Sequence, residues 1–413
     1  MIGLNNKTWC NDNRLIIGGT GSGKTTTEVI PFIRSTNESF VVTDTKGNLY
    51  RKNREDLKRR GFKVFLLDLN DPIKSGGYNP LRYIGRRIEN GMTKYSEKDI
   101  FSLSNTLVPV SDSREPYWDN MARQLLSMLI AFVLEDCPEE EQNLVSVIEA
   151  FGMMSGQIST MKKCTFMEAH YMMHPDSLSA SIYRMISSVF SSDRTWGCIE
   201  SFLVNALRVY QCEDVKKLLT EKSNFRIEEL GQKKCALFIN VSDNDSMLDP
   251  VVSTFYTQCF QTLLREADRS RGSRLKVPVR IILDDFAASC AIPDFDNLIS
   301  VIRSRSISAT VVLQSLSQLE SRYGSSRSAT IIMNCDTLIY LGGCDLSTVD
   351  YIAKRMDLPA EKVMNMPLDT AYHIVRGEKA KYVKKTLPEP LQEQPDAEPD
   401  PEKETDKEDT AVK

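Results

Sequence analysis

The sequence has no long apolar run. Its longest, Leu125–Leu134 (LLSMLIAFVL), is ten residues, half of the roughly 20 that a bilayer-crossing helix needs. No signal peptide opens it. Its ten cysteines include no CxxC pair, which argues against a zinc ribbon or a thioredoxin-like site. Cys164, Cys235, Cys259 and Cys335 sit among apolar neighbours and read as small core residues in a reducing, cytosolic setting. Positive charge is not in excess, with 52 Lys and Arg against 56 Asp and Glu, a net charge of −4. Residues 388–413 hold ten acids and three bases, so the preceding body carries a small positive balance. Nucleic acid, if bound, meets a local patch rather than a basic surface. What is present in quantity is core-forming material. The chain is 41% hydrophobic and 26% charged, which excludes a wholly disordered or collagen-like chain. Its 413 residues suggest roughly two to three domains.

Arg14–Ile17 is a short apolar strand running into a glycine cluster and then TTTEVIPFI, a strand, turn and helix. Phe40–Asp44 and Phe62–Leu67 read as further buried strands, with the basic amphipathic stretch Leu49–Arg60 between them. Alternating strands and helices predict a parallel sheet covered by helices. From Ile88 to Phe225 apolar residues recur at helical spacing, with no convincing strand pair, and a mostly helical insertion is expected. Strand-like runs return at Cys235–Val241, Val279–Leu283, Ala309–Leu313 and Thr337–Leu341. The expected fold is therefore α/β, its sheet assembled from both flanks of the insertion. From Pro388 onward five prolines and ten acids accompany one leucine; such a tail cannot bury enough surface to offset its ordering entropy, and disorder is expected.

Gly18-Gly19-Thr20-Gly21-Ser22-Gly23-Lys24-Thr25 fits G-x-x-x-x-G-K-[ST] in its proper strand–loop–helix setting. Glycines let backbone N–H groups of Gly18, Thr20, Gly21, Ser22, Gly23 and the helix start at Lys24, Thr25 and Thr26 turn toward phosphate oxygens. Lys24 would reach the β- and γ-phosphates, and the Thr25 hydroxyl would coordinate Mg²⁺. Neither the guanine-selecting N-K-x-D nor LSGGQ occurs, which disfavours a GTPase and an ABC-type transporter. Val279–Leu283 ends in Asp284-Asp285-Phe286. An acid at a buried strand's tip beside a phosphate loop holds Mg²⁺, and the next acid can orient the attacking water; Asp284 and Asp285 are the candidates. Gln314, at the exit of the following strand, can sense the γ-phosphate. Arg303 and Arg305 close the intervening helix and can serve a neighbouring subunit's nucleotide, or simply pair with the helix dipole.

Taken together, GGTGSGKT, VVTDTKGNLY (41–50), SGGYNPL (75–81), ILDDFAASCAIPDFDNLISVIRSRSIS (282–308), VVLQSLSQLESRYG (311–324) and IIMNCDTLIYLGG (331–343) resemble the TraG/VirD-type coupling proteins of type IV secretion, over roughly residues 3–385. The resemblance implies a RecA-like P-loop NTPase interrupted by an all-α domain. The corresponding expectations are a first motor part at 1–87, an all-α insert at 88–225, a second motor part at 226–387 and the acidic tail at 388–413. It also implies ATP and Mg²⁺, hydrolysis, a ring-shaped homo-hexamer, and partners in single-stranded DNA, relaxase and relaxosome proteins, and channel components at the cytoplasmic face of a bacterial membrane. By the matched motifs Lys24 and Thr25 take the nucleotide, Asp284 the Mg²⁺, Gln314 the coupling role and Arg303 the trans finger. Glu115, Tyr117, Trp118 and Trp196 in the helical part would face substrate.

The chain departs from the pattern in two ways. The family has Asp-Glu-Phe where this chain has Asp284-Asp285-Phe286. Family members also begin with membrane helices, whereas this chain starts 17 residues before the loop; a shortened piece, or a form recruited by a separate membrane subunit and monomeric in isolation, is expected. Two other readings stay open: an ATP-binding docking platform with little hydrolysis, and a channel-assembly ATPase. His170 and His174, with Cys164 and Glu168 nearby, have metal-like spacing but no evident fourth ligand, and are read as ordinary packing. The basic stretch Arg51–Arg60 reads as a solvated helix face.

Overall fold

A computed structural model describes residues 10–71, 76–89, 91–110, 114–242, 246–286 and 291–387. The expected acidic tail lies outside the described residues.

Strands form where the sequence concentrates buried, mostly apolar residues. They are β1 (Arg14–Ile17), β2 (Ser39–Asp44), β3 (Lys63–Asp68), β4 (Arg86–Glu89), β5 (Met92–Tyr95), β6 (Cys235–Asn240), β7 (Val279–Leu283), β8 (Ile307–Leu313), β9 (Thr337–Tyr340), β10 (Thr370–Val375) and β11 (Lys381–Lys384). Nine of them make one sheet, ordered β11-β10-β9-β1-β8-β7-β2-β6-β3. Its pairs from β3 to β9 are parallel and the β9–β10–β11 edge is antiparallel. Every residue of β2, β7 and β8 is buried, as a parallel sheet covered on both faces requires. The pleat still sorts the side chains. Ile16, Phe40, Val42, Phe238, Ile282 and Val312 share one face with Val29, Ile33 and Leu57. Ile17, Val41, Leu237, Ile281 and Val311 join the larger core on the other. Cys164, Cys235, Cys259 and Cys335 are all buried.

The large sheet is built from both sides of a helical segment, since β6 inserts between β2 and β3. One expectation fails at the start of that segment. β4 and β5 pair as an antiparallel hairpin, so residue 88 lies within a strand. RRIE and MTKY carry too few apolar residues for alternation to register. Beyond Ser96 the helices Glu97–Leu107, Tyr117–Asp136, Leu144–Met161, Thr165–Met173, Leu178–Ile186, Asp193–Leu207 and Glu213–Thr220 follow in turn. Trp196 does not face substrate. It is 4% exposed and packs edge-on against Phe190 at 5.5 Å, so its indole is core. Glu115 and Tyr117 are exposed, and Trp118 is half-buried. On the helix Asn48–Arg59, Lys58 and Arg59 pair with Glu55 and Asp56, as a solvated face does. Among the described residues no helix is long and apolar enough to cross a membrane.

Within SGGYNPL, the described residues 76–81 pack between the helical part and the sheet. Tyr78 is buried against Phe255 at 5.3 Å, and its hydroxyl donates to Gln258 Oε1 at 2.6 Å. Gln258 Nε2 in turn donates to the Pro80 carbonyl at 2.9 Å. The backbone of Gly77 and Tyr78 donates to the Lys222 and Leu218 carbonyls. A Cβ on Gly77 would sit 2.0 Å from the Glu221 carbonyl oxygen, so only glycine fits. Gly77→Ala is expected to lower unfolding stability by about 2–3 kcal/mol through overpacking against rigid backbone, measured by urea denaturation.

Candidate active site

The site lies at the carboxyl edge of the parallel strands, where open α/β sheets bind ligands. β1 ends at Ile17 beside Leu313 of β8 and Tyr340 of β9. The chain then turns between its neighbours: Gly18 N–H donates to the Leu313 carbonyl at 3.1 Å, and Gly19 N–H to the Gly342 carbonyl at 2.8 Å. Gly342 has φ 98° and presents its carbonyl to this turn from the end of IIMNCDTLIYLGG. Gly21 and Gly23 have φ of 76° and 90°, a left-handed region that side-chain-bearing residues avoid. A Cβ on Gly18 would meet Ser22 Oγ at 2.3 Å and Leu341 Cβ at 3.0 Å. Gly18 is buried, Thr20 and Gly21 are exposed at the tip, Ser22 and Gly23 are half-buried, and Thr26 is exposed on the first helical turn. That turn is a wide π-helical one, Thr25–Val29, continuing as the helix Ile30–Ser35.

The buried Lys24 folds back, donating from Nζ to the Gly18 carbonyl at 2.8 Å and the Gly19 carbonyl at 3.3 Å. Ser22 Oγ is buried with no hydrogen-bond partner. An exposed loop tip, an unsatisfied hydroxyl and an ammonium held only by carbonyls fit a phosphate group. The Thr25 hydroxyl donates to Asp284 Oδ2 at 2.7 Å. Thr25 and Asp284 are therefore one oxygen pair, suited to a hard divalent cation. Asp284 stands one residue beyond β7, with β8 between it and β1. Burial pushes its carboxyl up to about 6; Thr25 and Lys24 oppose the rise, and Asp285 adds to it. Asp285 is half-buried at φ 49°, a conformation that aspartate tolerates better than longer side chains. Its N–H donates to Asp284 Oδ1 at 3.1 Å.

Gln314 follows directly on Leu313, whose carbonyl anchors the loop, so it stands at the same edge as Lys24 and Asp284. Arg303 does not. The turn Arg303–Arg305 precedes β8, which puts it at the opposite edge of the sheet, about 20 Å from Leu313 at about 3.3 Å per strand residue. Arg303 cannot serve its own chain's loop. Arg305 is engaged elsewhere, donating to Asp268 Oδ1 at 2.8 Å. Lys385 carries no sequence signal. Just beyond β11, its Nζ donates to the carbonyls of Ser22, Leu341 and Leu368 at 2.9, 3.0 and 2.8 Å. All three partners are main-chain atoms, so no motif could have revealed it.

A glycine loop after β1, a lysine and threonine opening the next helix, and an acid two strands over define a RecA-like P-loop NTPase. The chain belongs to the type IV secretory system conjugative DNA transfer family, which matches residues 3–357. It is 22% identical to the VirD4 protein of Rhizobium radiobacter over 345 residues, covering 83% of this chain and 47% of that one. It is 25% identical to the conjugal transfer protein TraG of Escherichia coli over 333 residues, covering 76% and 50%. The chain thus spans about half the length of these curated relatives. In structure it is similar to the conjugative coupling protein TrwB, solved with the non-hydrolysable analogue ADPNP, at a TM-score of 0.69, 17% identity, and coverage of 93% and 87%. TrwB has also been solved with ADP and Mg²⁺, at a TM-score of 0.68, 17% identity and the same coverage. VirB4 of Thermoanaerobacter pseudethanolicus is similar at 0.55, with 13% identity and coverage of 92% and 90%.

Proposed function

We propose that the chain is the ATP-hydrolysing motor of a conjugative coupling protein, pumping single-stranded DNA with its attached relaxase toward a type IV secretion channel. The contact between Thr25 and Asp284, 259 residues apart in sequence, carries this reading. It joins the phosphate loop to the acidic strand, as hydrolysis rather than simple anion binding requires. Lys24 and the loop amides hold the triphosphate, and Thr25 with Asp284 holds Mg²⁺. Held by those two oxygens, Mg²⁺ would supply charge neutralisation at the phosphates. Asp285 orients water, and Gln314 relays the state of the γ-phosphate into β8. Arg303, at the far edge of its own sheet, acts on the next subunit's nucleotide. That makes a ring, a homo-hexamer at the cytoplasmic face of the membrane, the active form, and an isolated chain inactive at low concentration. The TrwB structures with ADPNP and with ADP and Mg²⁺ support ATP and Mg²⁺ as ligands. The higher structural similarity to TrwB than to VirB4 favours a coupling protein over a channel-assembly ATPase.

The test is steady-state ATPase with single-stranded DNA over a wide range of protein concentration. Specific activity is expected to rise with concentration for wild type. Arg303→Ala is expected to lose about 100-fold or more in kcat, with nucleotide affinity retained. Equal activity of the two proteins would remove the trans assignment. Because DNA contacts would be to phosphate, stimulation should weaken as salt rises.

A second reading, a nucleotide-holding docking platform for relaxosome proteins, draws on Asp285. Its carboxylate is one methylene short of a glutamate's, and a misplacement near 1 Å can cost on the order of 100-fold in rate. Asp285→Glu is expected to raise basal turnover, at a stability cost of roughly 1 kcal/mol for the longer side chain at positive φ. An unchanged rate would clear Asp285 of limiting the chemistry.

A further inference from the structure

The ring of His170 is 2% exposed and lies between two carboxylates. Nδ1 is 3.3 Å from Asp136 Oδ1, and Nε2 is 3.5 Å from Glu135 Oε2. Nε2 also has Ser179 Oγ at 2.9 Å and Ser177 Oγ at 3.3 Å. Glu135 is itself fixed, accepting from the N–H groups of Leu178 and Ser179 at 3.0 and 3.4 Å and from the Ser179 hydroxyl. A neutral imidazole has one N–H. Given to the Glu135 side, it leaves the Nδ1 lone pair facing the lone pairs of Asp136, an arrangement that calls for a cation between them. The other ring at this point is His174, its centroid 5.1 Å from that of His170. One ligand atom each from Asp136, His170 and His174 lies within 4.8 Å of the others. A second proton on His170 would satisfy Asp136 but gain nothing from a neighbouring imidazole. A metal ion uses all three.

We infer that Asp136, His170 and His174 form a site for a divalent transition metal, with Zn²⁺ the fitting ion. His170 binds through Nδ1, and Glu135 orients its ring through Nε2, the carboxylate–histidine–metal arrangement that fixes tautomer and direction. The site clips the end of the helix Tyr117–Asp136 to the helix Thr165–Met173. Its third ligand comes from a preceding helix rather than from Cys164 or Glu168, which is why the local sequence does not show it. Bonds of about 2.0–2.1 Å put tetrahedral ligand atoms roughly 3.3–3.5 Å apart. Closure therefore asks for a swing of about 1 Å from Asp136 or His174, both exposed, while buried His170 stays put. The fourth position is open to water or to a donor from a partner.

The test is titration of the metal-free full chain with ZnCl₂, followed by calorimetry and thermal melting, and with CoCl₂, followed by its visible spectrum. Saturable binding of one Zn²⁺ per chain is expected, with a raised melting temperature and a Co²⁺ spectrum of nitrogen and oxygen ligands free of thiolate charge transfer. His174→Ala and Asp136→Asn, both at exposed positions, are each expected to weaken binding about 10-fold or more and to abolish the melting shift. Three results would each overturn the assignment: no saturable binding, a thiolate spectrum, or binding indifferent to His174→Ala. In the first case His170 is held as an imidazolium between its two carboxylates. Because the readout is binding and melting, it stands apart from any ATPase result.

Discussion

Lys24→Ala is expected to abolish nucleotide turnover, lowering kcat by about 100–1000-fold, the loss seen when one preorganised charge-stabilising donor is removed. The side chain has two roles. Without ligand its ammonium satisfies the Gly18 and Gly19 carbonyls, closing the loop on itself. In the proposed function it would exchange those partners for phosphate oxygens, a stronger charge-assisted contact. Alanine removes the phosphate donor and takes the ammonium from the Gly18 carbonyl near the buried end of β1, while the Gly19 carbonyl keeps the Ser22 N–H. Nucleotide-induced stabilisation should therefore disappear together with activity. Melting curves with and without Mg²⁺ and a non-hydrolysable ATP analogue check the binding half; an ATPase assay checks the other. A Lys24→Ala protein turning over at the wild-type rate would refute the motor reading, because no other ammonium donates to the Gly18 and Gly19 carbonyls among the described hydrogen bonds.

Asp284→Asn is expected to separate stability from function in opposite directions. Burial holds the Asp284 carboxyl at about 6, above the ordinary 3.8. A carboxyl whose folded-state pKa is raised stabilises the fold fully only below its unfolded pKa, and that contribution is lost as pH rises through about 6. At pH 7.5 the ionised Asp284 is thus a burden on the metal-free protein. A rise of two units corresponds to roughly 3 kcal/mol. Asparagine cannot accept from both Thr25 and the Asp285 N–H, which returns about 1 kcal/mol. The metal-free variant should therefore be more stable than wild type by roughly 1–2 kcal/mol at pH 7.5, with the difference closing as pH falls toward 4. It should also lose Mg²⁺-dependent nucleotide binding and all measurable turnover. In the wild type, Mg²⁺-nucleotide affinity should fall as pH drops through about 6, where the carboxylate is protonated. Denaturant melts across this pH range with and without Mg²⁺ decide it. A metal-free variant less stable than wild type at pH 7.5 would show that Asp284 serves the fold first.

These two residues were both legible in the sequence, for different reasons. Lys24 lies in a contiguous motif whose glycines are needed locally, at φ 76° and 90°. Asp284 is distant, but it ends a fully buried strand, and an acid there breaks the apolar pattern visibly. Gln314 was legible in the same way at the end of β8. The parallel strands were read within a residue or two, because parallel strands buried on both faces leave unbroken apolar runs; β10 and β11, the antiparallel edge of the same sheet, were not read. The β4–β5 hairpin was missed because RRIE and MTKY carry mostly polar side chains, and Trp196 was misplaced because an aromatic on an amphipathic helix looks the same whether it faces a partner or the core.

The sequence by itself determined a phosphate loop, an acidic strand, a two-sided sheet and a helical interruption, since each of these is written in neighbouring residues and their periodicity. Only the tertiary structure decided that Thr25 meets Asp284, that Arg303 stands at the edge away from its own loop, that Lys385 braces the loop through main-chain carbonyls, and that Asp136 joins two histidines. Those facts depend on strand order and helix crossing, which bring together residues far apart in the chain, and no local pattern of side chains encodes such distances.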